Sequence, residues 1–325
     1  MKLNFNHWYS FKTRLTILSL VISVISICVL TLYSSRLLQY DMQRQLGEQQ
    51  RSTVSYVATT LNFELEERIE VLNISAKAIT PAMLKNPASV QRYLDQQAVL
   101  HFHFNGGYFV LSKRGIVIAD SPLANGRVGV DFMERKYARG ALKDGKATVG
   151  DPVMGKALKA PVFSIAVPVS DGNGKVIAAL VGTTDLGRHN FLDKITDQRY
   201  SKTGGYVLIA PEVRTVITAT DKSRIMQQLP APGVNPIIDQ HIKGYEGTDV
   251  YTNPPGVEVL GSAKNIPVAG WYVVATLPTA EAFAAIRDLQ HRLLMAAFAF
   301  VLLTCVLVWL MLKRQFNQIW RLRQD

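Results

Sequence analysis

Two uncharged apolar runs, one near each end, limit the architectures open to this chain more than any motif inside it. Residues 15–33 form a run of 19 and residues 293–312 a run of 20. As helices, each would span about 30 Å, the thickness of a bilayer's hydrocarbon core. The 259 residues between them, 34–292, read as a folded domain hung between two membrane spans.

The flanking charge predicts the orientation. Lys2, Lys12 and Arg14 precede the first run without an acid. Lys313, Arg314, Arg321 and Arg323 follow the second, against the single acid Asp325. Flanks rich in Lys and Arg stay cytoplasmic, so residues 1–14 and 313–325 are expected inside and the domain outside. Trp8, Tyr9, Tyr33 and Trp309 lie near the span ends, where amphipathic rings favour the headgroup layer. A cleaved signal peptide would have a shorter apolar core and an Ala-x-Ala site, whereas Ser34-Ser35-Arg36 follows here. An uncleaved anchor is expected.

Both cysteines, Cys28 and Cys305, fall inside the apolar runs. The domain has no disulfide available, and at this size its own core suffices to hold it. That usage suits a bacterial inner-membrane protein facing the periplasm. The flanks account for +6 of the net charge of +11, which leaves +5 spread over the domain without a basic stripe. Nucleic-acid binding is therefore not expected. Anionic lipid and the topology explain the flank charge.

Between Arg36 and Thr80 there is no Pro and one Gly, Gly47. Val54, Val57, Ala58, Leu61, Leu65, Ile69, Leu72, Ala76 and Ile79 step by three and four, the apolar face of one helix. At ~1.5 Å per residue it would reach roughly 67 Å. Asn86-Pro87, a cap residue and a Pro at the first helical position, predicts a second helix to about Val99. β-rich runs separated by Gly-containing turns follow. Gly106-Gly107-Tyr108-Phe109-Val110-Leu111 resembles Gly204-Gly205-Tyr206-Val207-Leu208-Ile209. The strand entered at Gly174-Lys175-Val176 has a counterpart at Gly270-Trp271-Tyr272. This predicts two copies of one antiparallel-sheet module, residues 83–188 and 189–280, behind the long helix 34–82. From Thr279 onward there is neither Gly nor Pro, so one unbroken helix, through 281–292, is expected to carry the last strand into the second span.

This order of parts resembles a double Cache sensor domain, the periplasmic input module of many bacterial receptors, over about residues 36–285. The local strings that carry the resemblance are Asp131-Phe132-Met133-Glu134-Arg135-Lys136-Tyr137, Asp151-Pro152-Val153, the stretch from Pro161 to Val169, and Gly182-Thr183-Thr184-Asp185-Leu186. The resemblance implies an α+β fold with a long N-terminal helix packed on two PAS-like antiparallel sheets. It also implies a ligand pocket in the membrane-distal module beside Arg135. In the amino-acid-binding subgroup an Arg and aromatics hold the carboxylate and an Asp the amine. Arg135, Tyr137 and Asp185 match those positions, while Ala138 and Val130 stand where further aromatics are expected.

The residues themselves suit the task. A guanidinium such as that of Arg135 holds a carboxylate through two parallel hydrogen bonds. Tyr137 and Tyr108 can supply apolar walls with a hydroxyl tip, with Phe163 a further wall. Asp185 ends an apolar strand and would need a partner, for which a ligand amine serves. The alternative is an internal Arg135–Asp185 or Asp131–Arg135 ion pair that shapes a loop. Asp120, at a strand end, is a candidate for ligand contact or for capping a turn. His101 and His103 alternate with Phe102 and Phe104, so on a strand they would share a face. No third metal ligand is evident, and neither a metal nor a cofactor is expected.

No Gly-x-Ser-x-Gly elbow, His-Glu-x-x-His, phosphate loop or dinucleotide fingerprint is present, so a non-catalytic chain is expected. The expectation is a receptor input module that binds a small periplasmic ligand (an organic acid, amino acid or amine). Its expected partners are the lipid bilayer and a second copy of the chain. The 13 residues after the second span hold no output domain, and the family's relatives place a cyclic-di-GMP enzyme, chemotaxis helices or a histidine kinase there. The basic helical tail favours the first. A membrane-anchored periplasmic adaptor without a small ligand is the alternative from another class.

Overall fold

The computed structural model describes residues 11–197 and 200–321. Lys2, Trp8, Tyr9, Arg323 and Asp325, on which part of the topology expectation rests, lie outside the described residues. The chain divides into two compact units, residues 47–279 and residues 1–46 with 280–325.

Helix α1 (Phe11–Lys77) is continuous over 67 residues. Its stepped apolar residues from Val54 to Ala76 are buried, with Ile69 partly so. The helix ends at Lys77, short of the residue 82 expected from sequence, and Ile79 is buried just past that end. Short helices α2 (Pro81–Leu84) and α3 (Pro87–Asp95) follow. Asn86 caps α3 by accepting from the Ala88 N–H at 3.2 Å, with Pro87 in the first turn, as the sequence predicts. The helix stops at Asp95, short of Val99, and α4 (Ala98–His103) begins. His101 and His103 thus sit on a helix and not on a strand. The burial period explains why: Leu100 and Phe104, four apart, are buried, while Phe102 is exposed.

The first module runs β1 (Tyr108–Ser112), β2 (Val117–Ser121), α5 (Lys136–Leu142), β3 (Thr148–Val149), β4 (Val153–Met154), β5 (Pro161–Ser170) and β6 (Val176–Asp185). A linking helix α6 (Asp193–Thr196) leads to the second module. That module comprises β7 (Gly205–Ala210), β8 (Thr215–Ala219), α7 (Pro236–Ile242), β9 (Thr248–Thr252), β10 (Glu258–Ile266) and β11 (Trp271–Pro278). Both sheets are antiparallel. Their orders are β2-β1-β6-β5-β3, with β4 also pairing β5, and β8-β7-β11-β10-β9. The two orders correspond strand for strand, and the Gly-Gly-Tyr segments lead into the equivalent strands β1 and β7.

Strand parity sorts the side chains of the first sheet. Tyr108, Val110, Phe163, Ile165, Val167, Ala178 and Leu180 join the core under α1. Phe109, Leu111, Ala166, Ala179 and Val181 face the other way, against Phe132 and α5. The core under α1 is shared by both sheets. At its centre the Phe163 ring meets Trp271 of β11 edge-on, centroids 5.0 Å apart. Gln50 of α1, fully buried, donates to the carbonyls of Leu260 and Ala275 at 3.0 and 2.9 Å and accepts from Ser262 at 3.1 Å. One turn before it, a side chain at Gly47 would place its Cβ 3.2 Å from Thr248 of β9, so the helix closes on the sheet there through Gly.

In the other unit, α1 and the final helices α8 (Thr279–Ala282) and α9 (Ala284–Arg321) supply two helices long and apolar enough to cross a membrane. Gln290 of α9 donates to Ser35 of α1 at 2.7 Å. The expected unbroken helix after Thr279 is instead interrupted at Phe283, between α8 and α9, without a Gly or Pro to cause it.

Candidate functional site

A pocket opens between the outer face of the first sheet, helix α5 and the loop after β4. Its lining includes Phe109, Arg127, Phe132, Arg135, Tyr137, Lys156, Ser164 and Thr183. Its cavity volume is about 20 Å³, room for about one water. Any organic ligand must therefore displace part of the lining, in which Gly155, Lys156, Ala157 and Leu158 form one continuous loop outside the sheet and helices.

Each charged group has a defined surrounding. Arg135 stands at the N-terminal cap of α5, half-buried, with its Nε 3.3 Å from Glu134. Its Nη2 reaches the Met154 carbonyl at 3.5 Å. Lys156 pairs with Glu134 at 2.6 Å, donates to the Asp131 carbonyl at 2.7 Å and lies 5.4 Å from the Phe132 ring centre. Arg127 is buried and pairs with buried Asp120 at 2.9 Å, and Asp120 also accepts from the Arg127 N–H at 3.0 Å. Arg127 donates as well to the Gly106 carbonyl and lies 5.0 Å above the Phe109 ring. Burial pushes the Asp120 carboxyl up, against the pull of Arg127. Tyr137 is buried in the same lining as Ser164, and burial pushes its hydroxyl well above the ordinary tyrosine range. Ser164 in turn contacts the Thr183 hydroxyl at 3.0 Å, so a short polar line crosses an otherwise apolar floor.

Of the residues singled out from sequence, Arg135 and Tyr137 come together in this lining. Asp120 stands behind it as the counter-ion of Arg127. Tyr108 and Phe163 lie on the opposite face of the sheet, one residue out of phase with the pocket. Tyr108 donates there to the carbonyls of Leu94 and Gln97, at 3.1 and 3.2 Å. Asp185 is buried directly across from the lining residue Val162 but does not itself line the pocket. Its carboxylate accepts from the Gly187 N–H at 2.8 Å and lies 3.4 Å from Arg188. Neither internal ion pair considered from sequence forms: Arg135 takes Glu134, Asp185 takes Arg188, and Asp131 caps the Met133 N–H at 2.8 Å.

The sequence profile of the double Cache family, described as a Cache domain, matches residues 39–286. The chain belongs to that family. No curated protein matches the chain closely enough to count as a relative. Among solved structures, the Cache fold found here resembles the ligand-binding domain of the Pseudomonas fluorescens chemoreceptor CtaA in complex with L-isoleucine. The TM-score is 0.55 at 19% identity, covering 78% of this chain and 98% of that one. The ligand-binding domain of the Pseudomonas aeruginosa amino acid chemoreceptor PctB in complex with L-Arg gives 0.58 at 18% identity, covering 76% and 93%. That of PctC from the same organism in complex with GABA gives 0.54 at 18%, covering 72% and 100%.

Arg127 and Lys156 are the Cache pocket cations that sequence reasoning missed. Arg127 had a readable signal, a lone charge between Gly126 and Gly129 in a short turn after an apolar strand. Lys156 had none. Elsewhere, His189, Asp193 and Asp197 bring metal-ligand atoms within 4.8 Å of one another. Lys222 bonds Asp193 and lies 3.4 Å from Asp197, so a lysine ammonium already supplies the positive charge there.

Proposed function

We propose that this Cache protein is the non-catalytic sensing module of a bacterial membrane receptor, and that the pocket of its first module takes a small carboxylate from the periplasm. One observation carries this reading. Three cations, Arg127, Arg135 and Lys156, line the pocket and no Asp or Glu does. Their counter-ions are Asp120, buried behind the lining, and Glu134, exposed outside it. A carboxylate entering beside Arg135 would exchange the 3.3 Å contact to Glu134 for two parallel charge-assisted hydrogen bonds. The Tyr137–Ser164–Thr183 line offers hydroxyls to the rest of the ligand.

The amino-acid and GABA complexes of the structural neighbours favour a second reading, in which the ligand also carries an ammonium. Asp185 is then its acceptor, after exchanging exposed Arg188 for it. Sensing requires the ligand to favour one of two arrangements, by an amount typically about 1–3 kcal/mol. The helices at both domain ends are the route across the bilayer to a cytoplasmic output. The basic segment after the second apolar run favours an output of the cyclic-di-GMP kind, in a homodimeric receptor.

The test is a thermal-shift screen of the full chain in lipid nanodiscs against short mono- and dicarboxylates, amino acids and GABA. A true ligand at a hundredfold excess over its Kd stabilises by about 2.7 kcal/mol. Arg135→Ala should weaken that ligand at least about tenfold. Asp185→Ala should weaken it only if the ligand bears an ammonium. A screen without hits, or a hit that keeps full affinity in Arg135→Ala, overturns the reading.

A further inference from the structure

The second module repeats the strand order of the first, and it repeats a pocket in the equivalent place. Val207, Ile209, Leu229, Ile238, Tyr272 and Val274 give that pocket an apolar body, and Arg224, His241, Tyr251 and Thr276 give it polar atoms. Two of these groups have hydrogen-bonding capacity that the described residues leave unused, and for one of them the unused atom is buried.

The first is His241, which is 2% exposed. Its Nδ1 lies 3.0 Å from the Tyr245 carbonyl oxygen. A carbonyl only accepts, so Nδ1 carries the hydrogen. In the neutral ring Nε2 is then a bare acceptor. That Nε2 is buried without a partner among the described residues. The imidazole is also fixed in place, stacked on Tyr245 at 5.6 Å and flanked by Tyr251 and Tyr272 at 6.4 and 6.3 Å.

The second is Arg224. Burial lowers its pKa against the pull of Asp221, and among the described residues no carboxylate lies within ion-pair distance of it. Among the described residues its side chain makes one hydrogen bond, from Nε to Gln227 at 2.8 Å. The first-module cations Arg127, Arg135 and Lys156 each have an acid at hand. A half-buried guanidinium with a free edge and a buried imidazole acceptor therefore face one apolar pocket. Asp249, whose Oδ2 is buried without a partner, lies two residues from Tyr251 but outside the lining.

We infer that the second module holds a separate ligand site for a small 2-hydroxycarboxylate. The carboxylate takes the free edge of Arg224. The adjacent hydroxyl donates to His241 Nε2. The short carbon chain lies against Val207, Ile209 and Val274. A simple carboxylate satisfies Arg224 but leaves Nε2 bare, so the hydroxyl provides the selectivity. The cavity volume is about 20 Å³, so entry displaces a lining segment, of which Asn253 and Pro254 belong to a turn.

The probes are L-lactate and propionate, which differ by one hydroxyl, titrated calorimetrically to about 10 mM into the full chain in nanodiscs. L-Lactate should bind at least about tenfold more tightly than propionate. Arg224→Gln should abolish lactate binding, and its single side-chain bond to Gln227 makes it tolerable to the fold. His241→Phe keeps the ring stack and should remove the preference for lactate. Arg135→Ala, in the other pocket, should leave lactate binding intact. Unliganded melts identify any variant that misfolds, and either of the two second-module variants then suffices. Absence of lactate binding, equal binding of both probes, or lactate binding that survives Arg224→Gln overturns the inference. Loss of lactate binding in Arg135→Ala alone also overturns it and assigns lactate to the first pocket.

Discussion

At the scale of single residues, the first pocket separates the group proposed to bind from a structural one. Arg135 is half-exposed, and its contacts are a 3.3 Å pairing and a marginal carbonyl bond. Removing it should cost stability less than about 1 kcal/mol while removing ligand affinity. Arg127 is the opposite case. Arg127→Ala would strand the fully buried Asp120, and breaking such a pair costs about 3–5 kcal/mol. Urea unfolding of the two variants should show this inversion. Comparable midpoints for both would mean that Asp120 finds another partner. Sequence made Arg135 legible through its string and gave Arg127 only the weaker signal of a charge in a glycine turn, for a physical reason. Arg135 sits in a string with neighbours of defined type, whereas a buried pair depends on a turn bringing residues 120 and 127 together.

At the scale of elements, close approaches set the walls of the pocket. Helix α5, which carries Tyr137, lies so near β3 that a Cβ at Gly140 would fall 2.7 Å from the Thr148 Cβ. Helix propensity alone favours Gly140→Ala by about 1 kcal/mol. Overpacking costs about 1–3 kcal/mol, so net destabilisation is expected, read as a lower denaturation midpoint with an unchanged slope. Gln50 makes a second such closure, between α1 and the second sheet. Gln50→Leu should cost about 1–3 kcal/mol because two buried carbonyls lose their donor; hydrogen exchange at Leu260 and Ala275 should rise with it. The α1 stripe, the Asn86-Pro87 cap and the paired Gly-Gly-Tyr segments were legible because each is a local pattern with a fixed period. The facing of Tyr108 and Phe163 was not. The first sheet is covered on both sides, by α1 and by α5, so both parities of its strands are apolar and alternation carries no signal. His101 and His103 failed for a related reason: a six-residue helix is too short to display its period against an alternating string.

At the scale of the whole molecule, the family and the α+β architecture follow from the order of parts that the sequence displays, a long helix followed by two sheet modules. The two apolar helices give that order its setting. Single-cysteine variants at positions 2, 202 and 324, in a background lacking Cys28 and Cys305, should divide under an impermeant thiol reagent applied to intact cells. Position 202 should label, and positions 2 and 324 should label only after lysis. Labelling of either end in intact cells would overturn the orientation read from Lys and Arg. The ring of Phe163 set edge-on against Trp271 has one more consequence. Because the two modules of the Cache domain share this joint, strain introduced in one is relieved or worsened in the other. Two solutes occupying the separate cavities would then act as effectors of one another, each altering the other's affinity by an identical factor.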